Sequence, residues 1–119
     1  MDTNSSNKYN LDRRTFKFAL KVREYVDKLP RKMTNIEIGK QLVRSAGSVG
    51  ANYIEANEAL SKKDFLMRIK ICKKEAKETR YWLELSVPNM ENSDAKSHLI
   101  GESTELIKIF ATIVNRVKL

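Results

Sequence analysis

Cysteine and histidine are nearly absent from this chain: Cys72 and His98 each stand alone. A single thiol excludes an internal disulfide and fits a reducing compartment, and 119 residues suffice for one core without cross-links or structural metal. Cys72 lies in a lysine-rich helical stretch and reads as a buried thiol. One histidine cannot supply the two Glu-x-x-His motifs of a di-iron bundle, and Ala95 stands three residues before His98. Nor does it serve Cys72 or the serines as a base, because His98 falls on a different helix from Cys72 and reads as a surface residue. A helical ribonuclease of the Arg-spacer-His kind needs an arginine shortly before its histidine, and Arg80 is too distant. Gly39-Lys40 lacks the upstream glycine and following Ser or Thr of a phosphate loop. These gaps point away from an enzyme and from any cofactor or metal. No apolar run approaches the ~20 residues that span a bilayer, and Met1 to Asn7 is polar, so a soluble cytoplasmic protein without membrane contact is expected.

Positive charge is what the chain has in excess. Lys and Arg number 23 against 15 Asp and Glu, a net charge of +8. The surplus sits in residues 1–32 and 61–90, while 33–60 and 91–119 are close to neutral. Such a distribution suits a polyanion, because neutralising phosphates releases counterions; it equally suits plain solubility.

No segment alternates as a strand does, and four segments repeat apolar residues at helical spacing. Residues 1–10 lack periodicity and read as a tail, leaving 11–119 as a single domain. Helix one carries Phe16, Ala19, Leu20, Val22, Val26 and Leu29 and is closed by Pro30. Thr34 with Glu37 has capping-box spacing and opens helix two, which runs to about Ala59. Ser61 with Asp64 caps helix three, whose inner line is Phe65, Ile69, Cys72, Ala76, Thr79 and Leu83, and which stops before Pro88. Ser93 is positioned to cap helix four, with its wide apolar face of Leu99, Ile100, Leu106, Ile107, Phe110, Ile113, Val114 and Val117. The expectation is an all-α, antiparallel up-down-up-down four-helix bundle. Apolar surface left over on helices one and four predicts a homo-oligomer.

Helix two is organised around two features. Gly47, Ser48, Gly50 and Ala51 strip its surface nearly to backbone, which lets neighbouring helices approach. Arg44, Ser48, Asn52 and Glu55 then form a polar stripe. A hairpin turning near Leu60 and Ser61 sets Arg44 level with Glu78 and within a turn of Glu75, and Asn52 opposite Ile69. Two readings fit the stripe: a structural ion pair that sets register, or a ligand-binding seam. Glu55 falls where it would accept from free N–H groups at the start of helix three. On the outer faces, Lys63, Lys70, Lys74 and Lys77 keep to one side of helix three; with Lys73, and with Lys17 and Lys21 of helix one, they are the candidate phosphate contacts. Tyr9, Tyr25, Tyr53 and Tyr81 are candidate stacking surfaces.

Arg44-Ser45, Ser48, Asn52, Ile54-Glu55-Ala56, Ser61-Lys62-Lys63-Asp64-Phe65, and Glu75 with Glu78 resemble the signature of the bacterial four-helix bundle proteins, also called the intervening-sequence protein family after reading frames within insertions in large-subunit ribosomal RNA genes. The resemblance covers about residues 10–118, with Asn57 where many members carry glycine. It implies a homopentameric ring, similar to the accessory protein of diversity-generating retroelements, which binds nucleic acid and a reverse transcriptase. Two functions follow as expectations: a non-enzymatic oligomer binding RNA or DNA, with a nucleic-acid-processing protein among its partners, or a structural, protein-interaction bundle.

Overall fold

The short links between amphipathic segments leave each helix little choice but to fold back on its predecessor. A computed structural model of the chain describes residues 10–117. Four helices, α1 (Leu11–Asp27), α2 (Met33–Asn57), α3 (Lys62–Leu85) and α4 (Ser93–Arg116), form an antiparallel all-α bundle, with one turn of 3₁₀ helix at Met90–Asn92 before α4. Among the described residues there is no strand. Residues 1–9 of the expected tail lie outside the described residues; Asn10 belongs to the bundle, its Oδ1 accepting from Arg13 N at 3.2 Å as the cap of α1. The molecule measures 46 × 27 × 20 Å. No described helix is long and apolar enough to cross a membrane.

Each helix packs against its chain neighbours, and α4 returns to α1, so α1 lies diagonally across from α3. The interior is built from Phe18 and Val22 of α1, Leu42, Ala46 and Val49 of α2, Ile69, Cys72, Ala76 and Leu83 of α3, and Leu99, Leu106 and Phe110 of α4. The rest of the broad α4 stripe, including Ile100, Ile107, Ile113 and Val114, is half-buried and borders that core.

Of the three expected helix caps, one forms. Ser61 Oγ accepts from Asp64 N at 3.1 Å, as the spacing predicts. Thr34 does not cap α2: the helix begins two residues earlier than that cap implies, with Lys32 at the cap and no side-chain cap bond. Thr34 is therefore already inside the first turn, and Glu37 pairs with Lys40 instead (3.3 Å). Asn35 organises this junction. Its Nδ2 donates to Pro30 O (3.1 Å) and Val87 O (3.0 Å) while its Oδ1 accepts from Val87 N (3.2 Å), joining the α1–α2 link to the end of α3. Ser93 is likewise the first residue of α4 rather than its cap, and its hydroxyl donates backward to Met90 O at 2.9 Å. Lys96 Nζ reaches Glu84 O (3.2 Å) and Ser86 O (2.9 Å), placing a cation on free carbonyls at the α3 C-terminus.

Glycine permits close approach at two places, both against α1. A Cβ on Gly39 would stand 2.9 Å from Val26 Cγ1, and one on Gly50 would stand 3.1 Å from Thr15 Oγ1. Gly47 does not serve this purpose within the subunit, since nothing lies within 4 Å of its would-be Cβ. It belongs to an outward line with Ile36, Val43, Ala51 and Ile54, and with Ala51 and Ile54 it lines a groove shared with Phe16 and Ala19 of α1.

Candidate nucleic-acid interface

The polar stripe of α2 meets α3 in the expected register. Arg44 Nη2 lies 2.9 Å from Glu78 Oε1 and 3.4 Å from Glu75 Oε1. The three side chains are unequally wet: Arg44 is 49% and Glu78 41% exposed, against 9% for Glu75. Asn52 bridges helices one turn further on, donating to Ser48 O (2.9 Å) and accepting from Arg68 Nη1 (3.1 Å), one residue from its expected partner Ile69. Ser48 thus contributes its carbonyl to the seam. Glu55 is exposed, and the cap expected of it is supplied by Ser61.

Beneath this stripe is an inner polar layer that the sequence spacing did not reveal. Thr79 Oγ1 bonds with Ser45 Oγ (2.8 Å) and donates to Glu75 O (2.8 Å), and the Cys72 thiol donates to Val49 O (3.4 Å). Every one of these partners lies inside the α2–α3 contact, while Arg44, at the outer end of the stripe, also borders a groove of about 550 Å³ shared with Val26 and Gly39. Burial pushes the Cys72 thiol up to about 12, which keeps it protonated and unreactive. Among the described residues no cluster of His, Cys, Asp and Glu could hold a metal ion. His98 is exposed, as expected.

The lysines fall into two groups. Lys63, Lys70, Lys74 and Lys77 are exposed on the outer face of α3, and none takes part in an ion pair among the described residues. Lys73 stands apart from them. It is half-buried, two helical turns before Arg80, whose Nη1 donates to Thr104 Oγ1 on α4 (3.3 Å). Lys17 and Lys21 are exposed on α1 and line a groove of about 310 Å³ against α4 with His98 and Glu102. The nearby Arg14 is already committed to Glu102, through contacts of 2.7 and 2.9 Å that raise its pKa. Because α1 and α3 are diagonal, the two lysine groups form separate surfaces within one subunit.

The tyrosines also separate. Tyr25 is buried and bonded to Ser86 Oγ at 2.7 Å. Tyr53 is half-buried, its ring 6.3 Å from that of Phe110. Tyr81 alone among the described tyrosines is exposed. Tyr9 lies outside the described residues.

An antiparallel four-helix bundle with an Arg-carboxylate seam between its second and third helices and a free lysine row outside it is a scaffold carrying an electropositive surface. Residues 7–111 match the family model described as 23S rRNA-intervening sequence protein, and the chain belongs to that family. It is also similar to a crystal structure of a protein of unknown function from the S23 ribosomal protein family of Bacteroides thetaiotaomicron, with 32% identity and a TM-score of 0.76 over 87% of this chain and 96% of that one. No curated protein matches the chain.

Proposed function

We propose that the protein is a non-enzymatic, homo-oligomeric module of the cytoplasm that binds RNA or another nucleic acid through lysines of α1 and α3. What supports this reading above all is the row Lys63, Lys70, Lys74 and Lys77: four exposed cations on one helix face, in no ion pair among the described residues, on a chain of net charge +8. Phosphate is the anion such a row fits, because its contacts are purely electrostatic and independent of base sequence. Self-association is supported by the uncovered outer face of α1 and α2, where Phe16, Val43 and Ile54 are exposed. Five subunits is the number the family resemblance implies, and repeating the row around a ring multiplies a weak contact. A protein that processes the bound nucleic acid is the expected second partner.

Fluorescence anisotropy with labelled RNA tests the reading. Neutralising four phosphates of a single strand should lower affinity about 50-fold per subunit row between roughly 50 and 200 mM salt. Lys70→Glu, Lys74→Glu and Lys77→Glu together should weaken binding to all sequences alike. Salt-independent or absent binding by the intact oligomer would remove the proposal. A second reading, a protein-interaction bundle with no nucleic-acid role, is favoured by the same apolar face, where Phe16 is 68% exposed. Capture of a partner from cells that survives nuclease treatment would favour it.

A further inference from the structure

The lysine row does not end in solvent. Continuing its spacing from Lys77 by one more helical turn reaches Tyr81, so Lys63, Lys70, Lys74, Lys77 and Tyr81 share one outward line of α3. Tyr81 is 56% exposed. Its ring is braced on the inner side by Trp82, with centroids 5.1 Å apart and planes at 76°. Trp82 is itself packed against the core, and its Nε1 is the one buried side-chain polar atom without a hydrogen-bond partner among the described residues. Packing alone therefore holds the indole that supports Tyr81. The resulting surface is a line of point charges, interrupted by exposed Met67 between Lys63 and Lys70, that finishes in an aromatic face whose one ring contact among the described residues is Trp82.

We propose that this line is a site for single-stranded nucleic acid, with the strand's phosphates along the lysines and one base stacked on Tyr81; the inference rests on the nucleic-acid reading above. A duplex keeps its bases stacked inside and presents only backbone to a flat helix face, so it would engage the lysines and leave Tyr81 idle. A single strand offers both phosphates and free π faces, which is the combination the line provides. From Lys63 to Tyr81 the line runs about 27 Å at 1.5 Å per residue. That length sets the site toward the short end of the roughly 4–16 nucleotides that single-strand modules occupy. The site also has polarity along α3: charge toward its N-terminal end, stacking at Tyr81.

The test compares a labelled oligoadenylate of about eight nucleotides with a duplex of the same length on the intact oligomer, following both anisotropy and the emission of Trp82, the only tryptophan. The expected result is tighter binding of the single strand, a change in Trp82 emission on binding it, a loss of about 10-fold for Tyr81→Ala on the single strand alone, and retention by Tyr81→Phe. The exposed position makes misfolding of these variants detectable by comparing their helical circular dichroism with the parent. Equal binding of both nucleic acids, unaffected by Tyr81→Ala yet abolished by reversal of Lys70, Lys74 and Lys77, overturns the single-strand site and leaves the phosphate reading standing. Binding of neither overturns both.

Discussion

The glycines of α2 offer a comparison in which helix propensity is constant and only the neighbour changes. Replacing glycine by alanine in a helix interior gains about 1 kcal/mol when the methyl group meets nothing. Gly47 is such a position, with open space within 4 Å of the added Cβ. Gly50 is not: the same methyl would sit 3.1 Å from Thr15 Oγ1 and 3.3 Å from Thr15 Cβ. Thr15 cannot swing away freely, because it is buried and its hydroxyl already donates to Leu11 O at 2.6 Å. Relief requires moving α1 against α2, and overpacking of this kind costs about 1–3 kcal/mol. Gly50→Ala should therefore come out neutral to destabilising by about 2 kcal/mol, while Gly47→Ala should stabilise by about 1 kcal/mol. For a domain of this size the latter is a rise in Tm of about 3–5 °C. Thermal melts followed by circular dichroism, at two protein concentrations, measure both. If Gly50→Ala stabilises as much as Gly47→Ala, the close approach of α1 to α2 at this point is wrong. A Gly47→Ala variant that melts lower, and whose loss shrinks on dilution, would mean that a second copy covers the outward line of α2.

Four further outcomes are expected. Arg44→Met should cost about 1–2 kcal/mol in urea unfolding, because nearly buried Glu75 loses its cation, whereas Glu78→Gln, at the wet end of the pair, should cost under about 1 kcal/mol. Cys72 should resist a thiol-specific reagent at pH 8 in the native protein and react completely once unfolded. The thiol's pKa is raised on folding from 9.0 to about 12, and burial also raises those of Tyr25 and Tyr53, so ionisation favours the unfolded chain. Stability should accordingly be whole below pH 9 and fall as pH rises toward 12, a trend that equilibrium unfolding across that range would check. Ser61→Ala should cost about 1 kcal/mol by removing the α3 cap, with Ser61→Asp restoring it.

The α2–α3 hairpin is legible in detail from the sequence. Its ion pair of Arg44 with Glu75 and Glu78 follows from helical spacing plus one tight turn, which together leave a single register. The cap at Ser61 was legible for the same reason, being local. Thr34 and Ser93 have equally plausible local spacing, yet α2 starts before Thr34, where Asn35 is tied to Pro30 and Val87, and α4 starts at Ser93, whose hydroxyl is taken by Met90 O of the preceding 3₁₀ turn. The inward position of Thr79 and Cys72 is legible in the spacing of α3, but their bonds to Ser45 and Val49 are not, since small polar residues on an apolar face look like fillers until a partner is seen opposite them.

Periodicity, charge and link length were enough to establish four helices, their antiparallel order and a lysine row along the third, because each depends on residues near one another in the chain. The folded arrangement assigned the rest: that α1 touches Gly39 and Gly50 but not Gly47, that the lysines of α1 and α3 face different sides, and that Tyr81 stays outside while Tyr25 and Tyr53 do not. Those outcomes depend on which distant helix comes to lie beside each residue, and that is set by how four apolar faces share one core.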